Sequence, residues 1–366
     1  MNNCFKCRGL IITLLISILF RDSLASVVST GDFNKDFFVM WAPNYVNTSS
    51  NGGERSLKLD QQSGSGFASN QMFLFGRIDM QIKLVPGNSA GTVLAYYVSE
   101  TLDSFDFLHF SASDINRIAL QSQLASDQPN RDEIDFEFLG NVSGEPYIVQ
   151  TNIYVDGFDN REERIYLWFD PTEDYHTYSI LWNLHQIVFM VDSIPIRVYR
   201  NHADKGVAYP RWQPMGIKIS LWNGDSWATR GGLDKIDWSK GPFIASFKDY
   251  TIDACVWEGN PRFCRADSTD NWWNKPRMSS LSREQKRWFK WVRKYHMVYD
   301  YCQDHQRLLL EELNNVHCHK RCMIGSSGGS VGSSSAPAIG ADTIRLDEFV
   351  DLATLIDWMD AEDVLD

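Results

Sequence analysis

Nine residues hold the densest reactive chemistry in this chain: Asp132-Glu133-Ile134-Asp135-Phe136-Glu137-Phe138-Leu139-Gly140. Acids alternate with bulky apolar side chains, the repeat of a β-strand with one buried and one open face. Glu133, Asp135 and Glu137 would share the open face, while Ile134, Phe136 and Phe138 enter the core. Like charges on one strand face repel and suit a strand poorly, so the arrangement calls for a reason. A solvated acidic face or a calcium site would satisfy the composition. Cleavage of a glycosidic bond is more specific: it needs two flanking carboxyl groups, about 5–5.5 Å apart for retention and about 6.5–9.5 Å apart for inversion. In a flat strand residues 133 and 137 stand about 13 Å apart at Cα, so they must lean together over Asp135 on a bent, concave sheet. A third acid between them could share a proton, leaving one glutamate ionised and the other protonated.

The elements that must position these acids read as strands. Leu57-Lys58-Leu59, Gly66 to Ser69, Gly76 to Leu84 and Thr92 to Tyr97 precede them. Gln150 to Val155, Tyr178 to Trp182, Ile187 to Asp192, Ile194 to Tyr199 and Ile217 to Trp222 follow. Many short runs punctuated by turns predict an all-β sandwich or jelly roll. Gly64 and Gly66 lack the third glycine and following helix of a phosphate loop, and read as turn glycines. The strand ending at Trp222 delivers a polar, aromatic loop in which Trp222 and Trp227 are candidate sugar platforms, with Asp225 and Ser226 placed to meet hydroxyls. A tryptophan corner closing the sandwich fits Trp222 better than Trp227.

The 366 residues, 43% hydrophobic and 13% aromatic, suffice for one large β domain with appendages or two ordinary ones. A net charge of −12 without a basic stripe argues against nucleic acid as partner. Residues 1–25, with Lys6, Arg8, an apolar run from Leu10 to Phe20 and then Ser23-Leu24-Ala25, have the pattern of a secretory signal peptide. The run is too short to span a bilayer, so no membrane partner is expected once it is removed. A secreted chain makes Asn141-Val142-Ser143 a glycosylation sequon, and Asn47-Thr48-Ser49 a second candidate.

The acid strand, with Gly87-Asn88-Ser89-Ala90-Gly91-Thr92 upstream and Leu221-Trp222-Asn223-Gly224-Asp225-Ser226-Trp227-Ala228-Thr229 downstream, resembles the plant xyloglucan endotransglucosylase/hydrolases of glycoside hydrolase family 16. The likeness spans about residues 30–97 and 124–307. It implies a concanavalin-like jelly-roll sandwich with a short C-terminal helical extension, secreted to the cell wall and acting as a monomer without metal or cofactor. It implies Glu133 as nucleophile, Asp135 as its helper and Glu137 as general acid/base. It places Gln150, Thr151, Asn152, Asn160, Arg161, Glu162, Ser226, Trp227, Gly231 and Arg307 against donor and acceptor xyloglucan, although composition alone would allow Gln150–Asn152 and Asn160–Glu162 to be solvated strand and loop. Most of the family transfer the cleaved chain, so endotransglucosylase ranks ahead of endohydrolase.

Two stretches depart from the family. Residues 98–123 intervene before the acid strand, and a long apolar loop there could cover a cleft and leave a catalytically impaired wall-polysaccharide-binding protein. Beyond about Leu308 the likeness ends: residues 323–366 comprise a Ser/Gly linker and an acidic tail with nine acids in 342–366 against Arg345 alone, a composition that permits disorder. The organisation expected is therefore a signal at 1–25, a jelly roll over 26–250, a disulfide-bonded extension over 251–322 and the tail. Cys255 and Cys264 close a small loop, and Cys302 should pair with Cys318 or Cys322. Zinc at His317 to Cys322 lacks a second ligand cluster. Ser282 and Gln285 form a capping box for a helix whose apolar spacing runs through Trp288, Trp291, Val292, Tyr295, Val298, Tyr299 and Cys302.

Overall fold

The computed structural model describes residues 26–99 and 130–304. The signal, most of the stretch at 98–123, Arg307, Cys318, Cys322 and the tail lie outside the described residues. Fifteen strands are described. In chain order they begin β1 (Ser26–Val28), β2 (Phe37–Trp41), β3 (Val46–Thr48), β4 (Glu54–Leu59), β5 (Ser65–Lys83) and β6 (Thr92–Ser99). Then come β7 (Glu133–Leu139), β8 (Ile148–Tyr154), β9 (Glu163–Tyr166), β10 (His176–Trp182), β11 (Gln186–Val191) and β12 (Ile194–Arg200). The last are β13 (Met215–Asn223), β14 (Phe243–Val256) and β15 (Met297–Asp300).

Every pairing is antiparallel, and the long β5 joins two layers. Its first half lies between β2 and β13, in the layer β2-β5-β13-β6-β7-β8-β9-β15; its second half pairs β10 and β14, in the layer β12-β11-β10-β5-β14-β4. The sequence suggested two strands here. They are one, bent where Phe75 and Gly76 both take positive φ, and a Cβ on Gly76 would meet Ala254 at 2.3 Å. The layers bury the apolar half of each alternating strand between them. Phe136 of β7 meets Phe189 of β11 edge to face at 5.1 Å, and Phe138 meets Tyr178 of β10 at 4.7 Å.

Gly66 is not in a turn. It sits inside β5, and a Cβ there would lie 2.4 Å from the Trp41 ring. Glycine allows that ring to rest on the backbone.

Three short α-helices are described: α1 (Phe33–Asp36), α2 (Pro261–Arg265) and α3 (Arg283–Tyr295). Ser282 and Gln285 form the expected capping box on α3. The helix nevertheless stops at Tyr295, short of the periodicity read through Cys302. Met297-Val298-Tyr299 has strand propensity and meets the open edge of β9, so pairing there replaces another helical turn. The extension thus adds β15 to the acid-bearing sheet. Arg293 of α3 pins it by donating to Glu163 at 2.6 Å and to Asp300. The Cys255–Cys264 disulfide is formed, and Cys302 is disulfide-bonded to a residue outside those described.

Candidate active site

Antiparallel register turns the acid run into the middle of a polar floor. Counting across β13, β6, β7 and β8, one row is Gly216, Ser99, Glu133 and Tyr154; the next is Lys218, Tyr97, Asp135 and Asn152. The third is Ser220, Ala95, Glu137 and Gln150, with Arg164 of β9 beyond. A fourth, Trp222, Val93, Leu139 and Ile148, is apolar. Because faces alternate, the intervening residues Ile217, Ile219, Leu94, Tyr96, Val98, Ile134, Phe136 and Phe138 all point into the core.

The three acids have different surroundings. Burial pushes Glu133 upward, but Arg131 and Lys218 oppose this with positive charge, and hydrogen bonds from Asp135 and Ser99 favour the ionised form. Arg131 Nε stands 3.5 Å from Glu133 Oε2 and packs on the Tyr154 ring at 4.2 Å. Asp135 is raised well above the carboxylate range by burial, then by the charges of Glu137 and Glu133, then by its hydrogen bond to Glu133. Its Oδ1 is buried without a hydrogen-bond partner among the described residues, which adds to the cost of ionising it. Glu137 is lifted to about 7, chiefly by burial, opposed by a hydrogen bond from the Gln150 amide and aided by the charges of Glu133 and Glu162. All three acids are raised, and Glu133 is the one on which cations and hydrogen-bond donors converge, which favours its anionic form over those of Asp135 and Glu137.

Gln150 and Asn152 stand in the floor, opposite Glu137 and Asp135. Gln150 Nε2 donates to Glu137 Oε2, and Asn152 Oδ1 accepts from the Arg161 and Ile153 backbone N–H groups. Thr151 does not face the acids. It is opposite Phe136, and its hydroxyl accepts from buried Arg197 at 2.9 Å. The Arg161 guanidinium is also engaged away from the floor, donating to the carbonyls of Ile153 at 2.9 Å and Phe158 at 2.6 Å. Asn160, at positive φ, and Glu162 flank it on the loop into β9. Trp222 and Trp227 stand 6.1 Å apart over Val93 and Leu139, and Ser226 and Gly231 are exposed beside them. Both tryptophans therefore border the floor. The sequence reading missed Arg131, two residues before Glu133, and Lys218, Ser99, Tyr97, Tyr154 and Arg164, which reach the acids through strand pairing.

Asn141 follows β7 directly. It is half-buried, with Nδ2 donating to Pro146 O at 3.1 Å. Asn47, at the centre of β3, is exposed.

A polar carboxylate floor lined by tryptophan on a two-layer β-sandwich is the architecture of a carbohydrate-active enzyme. The family model described as glycosyl hydrolases family 16 matches residues 33–124 and 115–240, and that described as the xyloglucan endo-transglycosylase C-terminus matches residues 267–310. The chain is 65% identical over 295 residues to probable xyloglucan endotransglucosylase/hydrolase protein 10 of Arabidopsis thaliana, covering 81% of this chain and 90% of the relative. It is 45% identical to protein 7 of the same group and organism, over 83% of this chain and 94% of that one. Among solved structures, a Bacillus licheniformis β-glucanase aligns at 23% identity and a TM-score of 0.42, over 64% of this chain and 93% of that one. The chain belongs to glycosyl hydrolases family 16, in its xyloglucan endotransglucosylase/hydrolase branch.

Proposed function

We propose that this chain is a retaining xyloglucan endotransglucosylase. The Glu133 carboxylate attacks the anomeric carbon of a backbone glucosyl unit as the glycosidic C–O bond breaks, and Glu137 gives its proton to the departing oxygen. The fragment is then an ester of Glu133. An acceptor hydroxyl loses its proton to Glu137 while its oxygen displaces Glu133, restoring both carboxyls. Asp135 does not touch the sugar. Its proton, directed at Glu133, disperses charge on that carboxylate between turnovers and helps it leave at the second step.

The observation that carries this reading is the unequal treatment of two equally buried glutamates: Glu137 is lifted to about 7, whereas two cations and two hydrogen bonds converge on Glu133. Gln150, Asn152, Asn160, Glu162, Ser226, Trp227, Gly231 and Arg307 are the residues we assign to donor and acceptor contacts. Thr151 and Arg161 act instead by holding the strands and loop beneath them. The strand that α3 and β15 add beside β9 lengthens the floor past Glu137 and Arg164, which favours a polysaccharide acceptor over water. The protein would work as a secreted monomer in the cell wall, with an N-glycan on Asn141.

The test incubates the secreted chain, and the same chain lacking residues 100–123, with xyloglucan and a labelled xyloglucan oligosaccharide. Label entering polymer establishes the transferase. New reducing ends without label would make it an endohydrolase, and activity confined to the shortened chain would make this form an impaired, wall-binding variant.

A further inference from the structure

Outside the acid floor, the most unusual cluster is cationic and aromatic. Trp212, in the loop between β12 and β13, is 56% exposed. The Arg265 guanidinium stands 4.0 Å from its ring centroid and that of Arg211 5.4 Å. Neither arginine forms an ion pair or donates a hydrogen bond among the described residues, although the chain as a whole carries −12. Phe263, on α2 with Arg265, is 55% exposed, and Arg262 is exposed one helical turn before Arg265.

The cluster is held rigidly. Asn271 Nδ2 donates to Phe263 O at 2.6 Å, Asn274 Nδ2 donates to Cys264 O at 2.9 Å, and Cys264 is disulfide-bonded to β14. On the other side, Gln213 Nε2 donates to Asn130 O at 2.6 Å and Gln213 Oε1 accepts from Asp132 N at 3.3 Å. Trp212 is therefore fixed next to the segment entering β7.

A guanidinium stacked on a ring uses its face, which leaves its N–H edge for an acceptor such as a carboxylate. Two such groups on one indole repel each other, and nothing in the described protein neutralises them. Burial and then the charge of Arg211 hold Arg265 below the ordinary arginine range.

We infer that Arg211, Trp212 and Arg265 form a docking site for a carboxylated polysaccharide, a polyuronate, distinct from the xyloglucan site. Charge complementarity selects a polyanion. The exposed rings of Trp212 and Phe263 select one that also presents apolar sugar faces. Docking would tether the enzyme within an acidic matrix and leave the floor open to its neutral substrate.

The experiment measures binding of the full secreted chain to polygalacturonate by calorimetry, with a xyloglucan oligosaccharide saturating the acid floor. Binding should persist under that saturation and weaken with added salt. It should fall at least about tenfold in R211Q/R265Q, with a further loss in Trp212→Ala. Transglucosylation by each variant on neutral xyloglucan should match the parent, which also reports correct folding. Should R211Q/R265Q fold poorly, R211K/R265K keeps the charge and removes the planar fork, and should still weaken binding. No polygalacturonate binding by the parent, unchanged affinity in the variants, loss of binding when the floor is filled, or equal affinity for poly-aspartate would each overturn the assignment.

Discussion

Arg164 donates through Nε to Gln150 Oε1 at 2.6 Å, and this bond decides which end of the Gln150 amide faces Glu137. With its oxygen taken, the amide can only offer N–H to Glu137 Oε2, which favours the ionised carboxyl and keeps its pKa from rising further. Arg164→Met removes both the positive charge and the constraint on the amide. The alkaline limb of the pH–rate profile should then move to higher pH, with lower kcat because a deprotonated Glu137 is harder to reach in the second step. An unchanged limb would show that the amide is oriented by something else.

The parent's own pH profile follows from Glu137. It must carry a proton to release the leaving chain, and its value is about 7. The rate of glycosyl-enzyme formation should fall above about pH 7, tending to tenfold per unit. Glu137→Gln should cost about 10²–10⁴-fold with aglycones that need protonation, and much less with a good leaving group.

The same residue makes a stability prediction of definite sign. Its folded value of about 7 lies above the ordinary glutamate value of 4.5, so its contribution is present below the unfolded pKa and lost as pH rises through the folded one. Glu137→Gln should therefore be more stable than the parent near pH 8, by on the order of 2–3 kcal/mol, and equal to it near pH 4. Thermal unfolding at the two pH values checks this. A variant equally or less stable near pH 8 would show that Glu137 is not strained there.

Burial raises Asp135 well above the carboxylate range, so Asp135→Ala should delete a donor to Glu133 rather than a charge. Glu133 should titrate higher and the acidic limb of the profile should shift upward. Asp135→Asn keeps an N–H donor and should shift it less. Glu133→Ala should abolish turnover while leaving xyloglucan retention on an affinity gel intact; loss of both would point to a binding role for Glu133.

Gly66→Ala tests the wall of the floor. Its Cβ would stand 2.4 Å from the Trp41 ring and 3.0 Å from Ile219 O, so the ring or the strand must move, at a cost of about 1–3 kcal/mol. Chemical denaturation would register the loss.

What the sequence disclosed was local. Alternation in residues 132–140 revealed the strand, its two faces and its reactive triplet, because the strand period is written in neighbouring letters. Arg131 stands two residues before Glu133, on the side an i, i+2 spacing shares, but the sequence reading gave it no target. Lys218 and Arg164 lay further from reading still: each reaches the acids through pairing between segments far apart in the chain, and neither stands in a motif. Thr151 and Arg161 were assigned to the cleft by family resemblance, yet alternation sends the first to the opposite face and a carbonyl pair engages the second. The bend in β5 depends on Phe75 adopting a positive φ, a choice its residue type does not announce. The end of α3 was misplaced because Val298 and Tyr299 satisfy helical spacing and strand propensity alike, and only the free edge of β9 decides between them.

The interleaving of acid and core side chains along β7 sorts insertions into two kinds. Extra residues between Ser99 and Asp132 lengthen a connection, for about 0.6 kcal/mol of closure entropy per doubling, and leave each cross-strand partner of β6, β7 and β8 where it was. One extra residue within Glu133–Leu139 exchanges faces beyond it, carrying Phe136 or Phe138 onto the floor and an acid into the apolar interior. Chemistry and folding fail together at that point, so this stretch tolerates no change in length, while the connection before it does.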